Sequence, residues 1–189
     1  MPAPALTSRE EIVSAGRAIL ESESVDGLTM QKVAAVVGVR APSLYKHIDG
    51  RGELMRLIVD SVVTDLGDAL ESAVHGEDPV RDLAEIAWTF RSFARGRPES
   101  YRLIFAPMPE EWRPSSEVML SSIDVVLRVC SALAGAEHAL DGARLLTSWA
   151  HGFMTMELAG AFRLEGDVDQ AFDFGVERLT AALMGASGS

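Results

Sequence analysis

The chain has 189 residues, 48% hydrophobic and 24% charged, which is room for a small N-terminal unit and a larger helical one of about 130 residues, each with its own core. Its 17 Lys and Arg against 28 Asp and Glu make it acidic overall, which argues against nucleic acid for the chain as a whole. The single Cys130 excludes an internal disulfide, no apolar run approaches the ~20 residues of a membrane span, and no basic region followed by an apolar stretch opens the chain, so a cytosolic protein without a membrane partner is expected.

Beyond the short biased end MPAPA, Ile12, Ala15, Gly16, Ile19 and Leu20 give a helical stripe within residues 8–22. Thr29 then suits an N-cap, and Val33, Ala34 and Val37 form the inner face of a two-turn helix that leaves Gln31 and Lys32 outside. Gly38 stands where that helix must stop, because a left-handed residue costs glycine little, and Val39 can anchor the turn. A second helix follows at once: Pro42 fits a first turn, Leu44 and Ile48 face inward, and Ala41, Pro42, Ser43, Tyr45, Lys46 and His47 face outward. Gly50 and Gly52 bracket the start of a long helix over residues 51–74, whose N-terminal amides together with Arg51 would suit a phosphate.

Helices are also expected over 79–96, 99–105, 115–134, 138–164 and 167–184. Pro107, Pro109 and Pro114 break the chain into an irregular loop holding Trp112, and the end GASGS is low in complexity. The stretch 138–164 is apolar nearly all round its middle and so is expected to be buried on more than one side. The last helix presents Val168, Phe172, Val176, Leu179 and Leu183. Two such helices from each of two subunits would form a four-helix bundle, giving a homodimer through the last two helices. Cys130, inside an apolar helix, reads as a small buried hydrophobe.

Charge is distributed unevenly. Residues 28–56 carry Lys32, Arg40, Lys46, Arg51 and Arg56 against Asp49 and Glu53, a local net of +3, while residues 61–189 hold 10 basic and 20 acidic side chains. A helix-turn-helix puts the N-terminal part of its second helix in the major groove, where slim residues approach base edges. Ala41, Pro42 and Ser43 are slim; Lys46 can reach a guanine or the backbone, and Tyr45 and His47 suit phosphates. Few phosphate contacts per subunit imply that two subunits must bind together.

The run Gly38-Val39-x-x-Pro42-Ser43-Leu44-Tyr45-x-His47, followed by Arg51 and Leu54, resembles the signature of the TetR family of repressors, over roughly residues 8–60. The resemblance implies an all-α fold: an N-terminal three-helix DNA-binding domain in residues 1–50, with its helix-turn-helix at about 29–48, and a larger C-terminal helical ligand-binding and dimerisation domain in 51–189. It further implies that Thr29, Gln31, Arg40, Ala41, Pro42, Ser43, Tyr45, Lys46, His47 and Arg51 occupy the positions that contact operator DNA. The chain departs from the family pattern in carrying Arg51 where a Lys is usual nearby and Ile48 where an aromatic is common. Trp149-x-His151-Gly152-Phe153, with Glu157-Leu158-Ala159-Gly160 after it, is similar to the C-terminal domain of a TetR subgroup with a Trp-His-Gly motif, and Tyr101-Arg102-Leu103-Ile104-Phe105 to another part of that subgroup.

Trp88, Phe93, Tyr101, Phe105, Met108, Trp112, Trp149, Phe153 and Met154 are the candidate lining of an apolar effector pocket, with His151 or Arg102 as polar groups. Each, taken alone, is better explained as core; Trp112, on a broken loop, has the least packing to explain it. His151 and Glu157 are six residues apart, on different helix faces, and do not make a catalytic pair. No phosphate loop, nucleophile–base pair or cluster of metal ligands is present, so neither an enzyme nor a cofactor or metal is expected. The expected function is a ligand-responsive repressor that binds a palindromic double-stranded DNA operator as a homodimer and is released by a small apolar or amphipathic effector. A regulator controlled by a protein partner, and a small-molecule-binding enzyme or carrier, are the alternatives.

Overall fold

A reciprocal cap starts the first helix. The Ser8 hydroxyl accepts from the Glu11 N–H at 3.1 Å, and the Glu11 carboxylate accepts from the Ser8 N–H at 3.0 Å. The computed structural model describes residues 7–186; the MPAPA run and the final three residues of GASGS lie outside them. Helix α1 (Arg9–Gly27) buries Ile12, Ala15, Gly16, Ile19 and Leu20, the expected stripe. It runs past residue 22, but Ser24 interrupts it at φ 62°, ψ −177°, so Val25–Gly27 form a separate turn after a break.

Helix α2 (Met30–Val37) is capped by Thr29, whose hydroxyl accepts from the Lys32 N–H at 3.3 Å. Gly38 ends it at φ 79°, and the Val39 N–H bonds back to the Ala34 carbonyl at 2.9 Å. Helix α3 (Ala41–Leu44), with Pro42 in its first turn, is a single α-turn. The chain then tightens, with the His47 N–H on the Leu44 carbonyl at 2.9 Å, while Leu44 and Ile48 are buried. Helix α4 (Gly50–Ala73) is followed by α5 (Pro79–Gly96), α6 (Pro98–Phe105), a 3₁₀ turn at Glu110–Trp112, α7 (Ser116–Ala134), α8 (Ala139–Leu158) and α9 (Val168–Ala186). Among the described residues every regular element is helical, and no helix is long and apolar enough to cross a membrane.

The expected helix over 138–164 stops early. Gly160 takes φ 63°, and the Ala161 N–H returns to the Met156 carbonyl at 2.9 Å, a glycine stop of the same kind as Gly38. Phe162 therefore leaves the helix and packs on Phe153 with ring centroids 4.8 Å apart. Within this chain α8 buries one stripe, Gly142, Leu146, Ala150 and Met154, while Leu145 and Met156 are exposed. Helix α9 buries Phe172, Val176, Thr180 and Leu183, with Phe174 and Met184 exposed.

Packing divides the chain into two units. Of the described residues, the first comprises 7–63 together with Arg97–Val118, and the second comprises Thr64–Gly96 and 119–186. This division differs from a boundary after residue 50, because it is set by which side chains share a core: Leu54, Met55, Ile58, Val59 and Val62 of α4 are buried in the first unit. The core of the second includes Leu83, Ile86, Ala87 and Phe90 of α5, and Val125, Val129 and Cys130 of α7. Burial pushes the Cys130 thiol up to about 11, so it is protonated and inert at neutral pH.

Gly67 marks a close backbone approach in the second unit. A Cβ there would lie 2.8 Å from the Ser122 Cα, which cannot yield as a flexible side chain would. Gly67→Ala is expected to destabilise the protein by about 1–3 kcal/mol, the usual cost of overpacking. An unchanged thermal midpoint would show that the α4 and α7 backbones do not meet there.

Candidate nucleic-acid interface

The face presented by α2 and α3 is built by a cap and a stop. Thr29 fixes where α2 begins and Gly38 where it ends, so Val33, Ala34, Leu44 and Ile48 point into one core. The residues left over are those of the expected interface. Thr29, Gln31, Arg40, Pro42, Tyr45 and Lys46 are exposed, and Ala41, Ser43 and His47 are half-buried. Among the described residues, the side chains of Gln31, Arg40, Ser43, Tyr45, Lys46 and His47 make no hydrogen bond or ion pair within the chain. Their donors are thus available, and the small Ala41 and Ser43 leave the first turn of α3 open to close approach.

Basic groups are fewer on this face than the sequence count suggests. Lys32 is paired with Glu23, and Arg56 with Asp60 at 2.9 Å. Arg51 is turned inward: its Nε donates to the Leu28 carbonyl at 3.2 Å and its Nη2 to the Val25 carbonyl at 3.1 Å, and its guanidinium lies 5.1 Å from the Trp112 ring centroid. Glu53 accepts the Asp49 N–H at the start of α4 and also pairs with Arg9. The start of α4 therefore holds its own carboxylate, and Arg51 acts first as a brace for the α1–α2 connection, which differs from the phosphate site expected there. Arg40 and Lys46 are the two exposed cations of the 28–56 segment without an intrachain partner among the described residues.

The nine residues expected around an effector fall in both units. The tilted rings of Tyr101 and Phe105 of α6 meet with centroids 5.2 Å apart in the first unit, where Met108 is half-buried and Trp112 lies beneath Arg51. Burial raises the Tyr101 phenol well above its ordinary range. In the second unit Trp149 stacks on Phe172 at 5.1 Å, Phe153 meets Phe172 edge-on at 5.0 Å, and Trp88 does so at 5.2 Å while donating its Nε1–H to Asp173 at 2.7 Å. Met154 is fully buried and Phe93 half-buried.

The centre of this second cluster is Arg91, a residue that no motif in the sequence marks. It is 1% exposed, bonds Glu157 through two nitrogens at 2.9 and 2.7 Å and Asp169 at 2.7 Å, and lies within 4.8–5.6 Å of the Trp88, Phe153 and Phe172 rings. The Glu157 hydrogen bonds, with the Asp169 contact, hold the guanidinium more firmly charged than usual. Glu157 is thus committed to Arg91. The signal available in the sequence was an arginine directly after Phe90, on the buried edge of the α5 stripe. Among the described residues no group of three His, Cys, Asp or Glu is placed to hold a metal ion.

Residues 83–179 match the family described as the tetracyclin repressor-like C-terminal domain. An uncharacterized HTH-type transcriptional regulator of Mycobacterium tuberculosis is 29% identical over 183 residues, covering 95% of this chain and 83% of its own. A protein of unknown function from Rhodococcus sp. RHA1 shares the fold at a TM-score of 0.82 and 23% identity, over 97% of this chain and 99% of its own. ActR of Streptomyces coelicolor, solved in complex with actinorhodin, does so at a TM-score of 0.74 and 20% identity, over 98% and 99%.

If Lys46 meets a phosphate, Lys46→Ala weakens binding to every duplex alike and lowers the slope of log affinity against log salt by about 1 per subunit. Ser43→Ala, by contrast, alters which duplex is preferred. Titrations of several duplexes at graded salt separate the two; equal effects of Ser43→Ala on all sequences would remove that residue from base readout.

Proposed function

Because the chain belongs to the TetR family of helix-turn-helix transcriptional regulators, we propose that it is a ligand-responsive repressor that binds a palindromic operator as a homodimer. The observation that carries this reading is the uncommitted polar face of α3 and its flanks, Arg40 to His47, on a turn fixed by Gly38. In the proposed complex the first turn of α3 enters the major groove, with Ala41, Pro42 and Ser43 against base edges. Thr29, Gln31, Arg40, Tyr45, Lys46 and His47 hold flanking bases and phosphates, and Arg51 contributes chiefly by positioning.

Two cations per chain are too few for tight binding by one subunit, so the proposal requires two heads, about 34–36 Å apart along the duplex. The exposed apolar side chains of α8 and α9, Leu145, Met156, Phe174 and Met184, support pairing through those helices. The proposed effector is small and apolar or amphipathic, consistent with the actinorhodin complex of ActR. The Trp112 Nε1–H, buried without an acceptor, supports a ligand with a hydrogen-bond acceptor near the broken loop. Binding there would tilt α4 and take the two heads out of register; only a ligand that prefers one state over the other can do so.

Selection of genomic fragments by the purified protein at near-physiological salt tests the reading. Recovery of a short palindrome retained by two chains per duplex is the expected result. Recovery of nothing above background, also after unfolding and refolding to strip bound ligand, would overturn it.

A further inference from the structure

Helix α6 lacks a cap of its own. Its N-cap residue, Arg97, makes no side-chain capping bond, and Pro98 at the first position has no N–H, so the Glu99 and Ser100 amides are the donors left to satisfy. Both are taken by a residue nearly eighty positions earlier: Glu21 of α1 accepts from the Ser100 N–H through Oε1 at 2.7 Å and from the Glu99 N–H through Oε2 at 3.3 Å. Ser100 is 1% exposed, so water cannot replace the carboxylate there. The carboxylate also sits at the positive end of α6. One side chain thus terminates one helix from the flank of another.

The place of Glu21 in α1 gives that bond a consequence. It follows directly on Ile19 and Leu20, which are buried in the core that includes Val33 and Ala34 of α2, and it precedes the break at Ser24 by three residues. On the other side, α6 carries Tyr101 and Phe105, whose rings meet at a tilt of 47°. Further along Arg97–Val118, the Ser115 N–H bonds Asp60 of α4 at 2.9 Å and Trp112 lies against Arg51 of the same helix. A displacement of the first turn of α6 therefore reaches α1 through Glu21.

We propose that Glu21 is a positioning residue that couples the state of α6 to the recognition helices: with the bond made, α1 holds α2 and α3 in the DNA-binding arrangement, and loss of the bond frees them. This rests on the repressor reading above and adds to it a route through α1, beside the tilt of α4. Coupling is reciprocal, so if α6 governs DNA affinity, DNA must govern α6. The duplex is then a sufficient probe, and no effector needs to be known.

The experiment is amide hydrogen exchange at Glu99 and Ser100, with and without a saturating duplex carrying the selected palindrome, in the full-length protein and in Glu21→Ala and Glu21→Gln. In the unsubstituted protein the duplex slows exchange at Ser100 by about fivefold or more, the lower end of ordinary coupling. In Glu21→Ala the slowing disappears while the amides of Ile12 to Leu20 exchange as before, which separates lost coupling from lost structure. Glu21→Gln keeps an acceptor, retains part of the effect, and serves if the alanine variant does not fold. Equal slowing in all three proteins, or none in the unsubstituted protein with the duplex bound, would overturn the proposal and leave DNA binding intact. Failure of any duplex to bind would overturn the repressor reading and this inference with it.

Discussion

The geometry of the DNA-binding face depends on the Arg51 guanidinium. The chain breaks at Ser24 with a positive φ that a non-glycine residue adopts at a cost of about 1–3 kcal/mol. The turn that follows presents the Val25 and Leu28 carbonyls to one cation, which stacks on Trp112 as well. Hydrogen bonds to a charged donor contribute about 1.5–3 kcal/mol each when shielded, so two of them offset the strain. Because Leu28 leads directly to the Thr29 cap, the same two bonds set where α2 begins and hence where α3 points. An arginine suits this task better than a lysine, since the fork reaches two carbonyls and still offers a flat face to the indole.

That brace explains how an acidic chain can present a nucleic-acid face. A formal charge of −11 would repel a duplex if it were spread evenly. Here Glu23, Asp60 and Glu53 are tied to Lys32, Arg56 and Arg9, so the charged groups around α2 and α3 largely neutralise one another in pairs. Arg40 and Lys46 remain to face outward. A face with so few cations gains specificity from fit more than from attraction, which agrees with the small side chains of the first turn of α3. It also makes binding sensitive to the spacing of two heads, the property that a ligand-operated switch exploits.

Local physics was legible in the sequence, and distant pairing was not. The Thr29 cap, the Gly38 stop and the α1 stripe each depend on residues within one or two turns, and all appear in the structure where the residues predict them. Gly160 is a stop of the same kind as Gly38, but the apolar residues on both sides of it masked the end of α8. The inward turn of Arg51 depends on carbonyls 23 and 26 residues away, and the Glu21 cap on amides 78 and 79 away, separations at which no local pattern carries information. The aromatic residues grouped in the sequence as one lining belong to both packing units, since ring identity says nothing of which core a ring joins. Arg91 at the centre of one such cluster shows the same thing from the side of charge: its partners come from α8 and α9, far along the chain.

The most direct test of the central claim, that the turn held by Arg51 presents α3 to DNA, is an amide resonance titration of the protein with its selected duplex at low salt. The largest shifts should fall on Thr29, Gln31 and Arg40 to His47, with the Arg51 Nε–H still protected by its carbonyls in the complex. Shifts concentrated outside residues 29–47, or an Arg51 side chain released on binding, would contradict it.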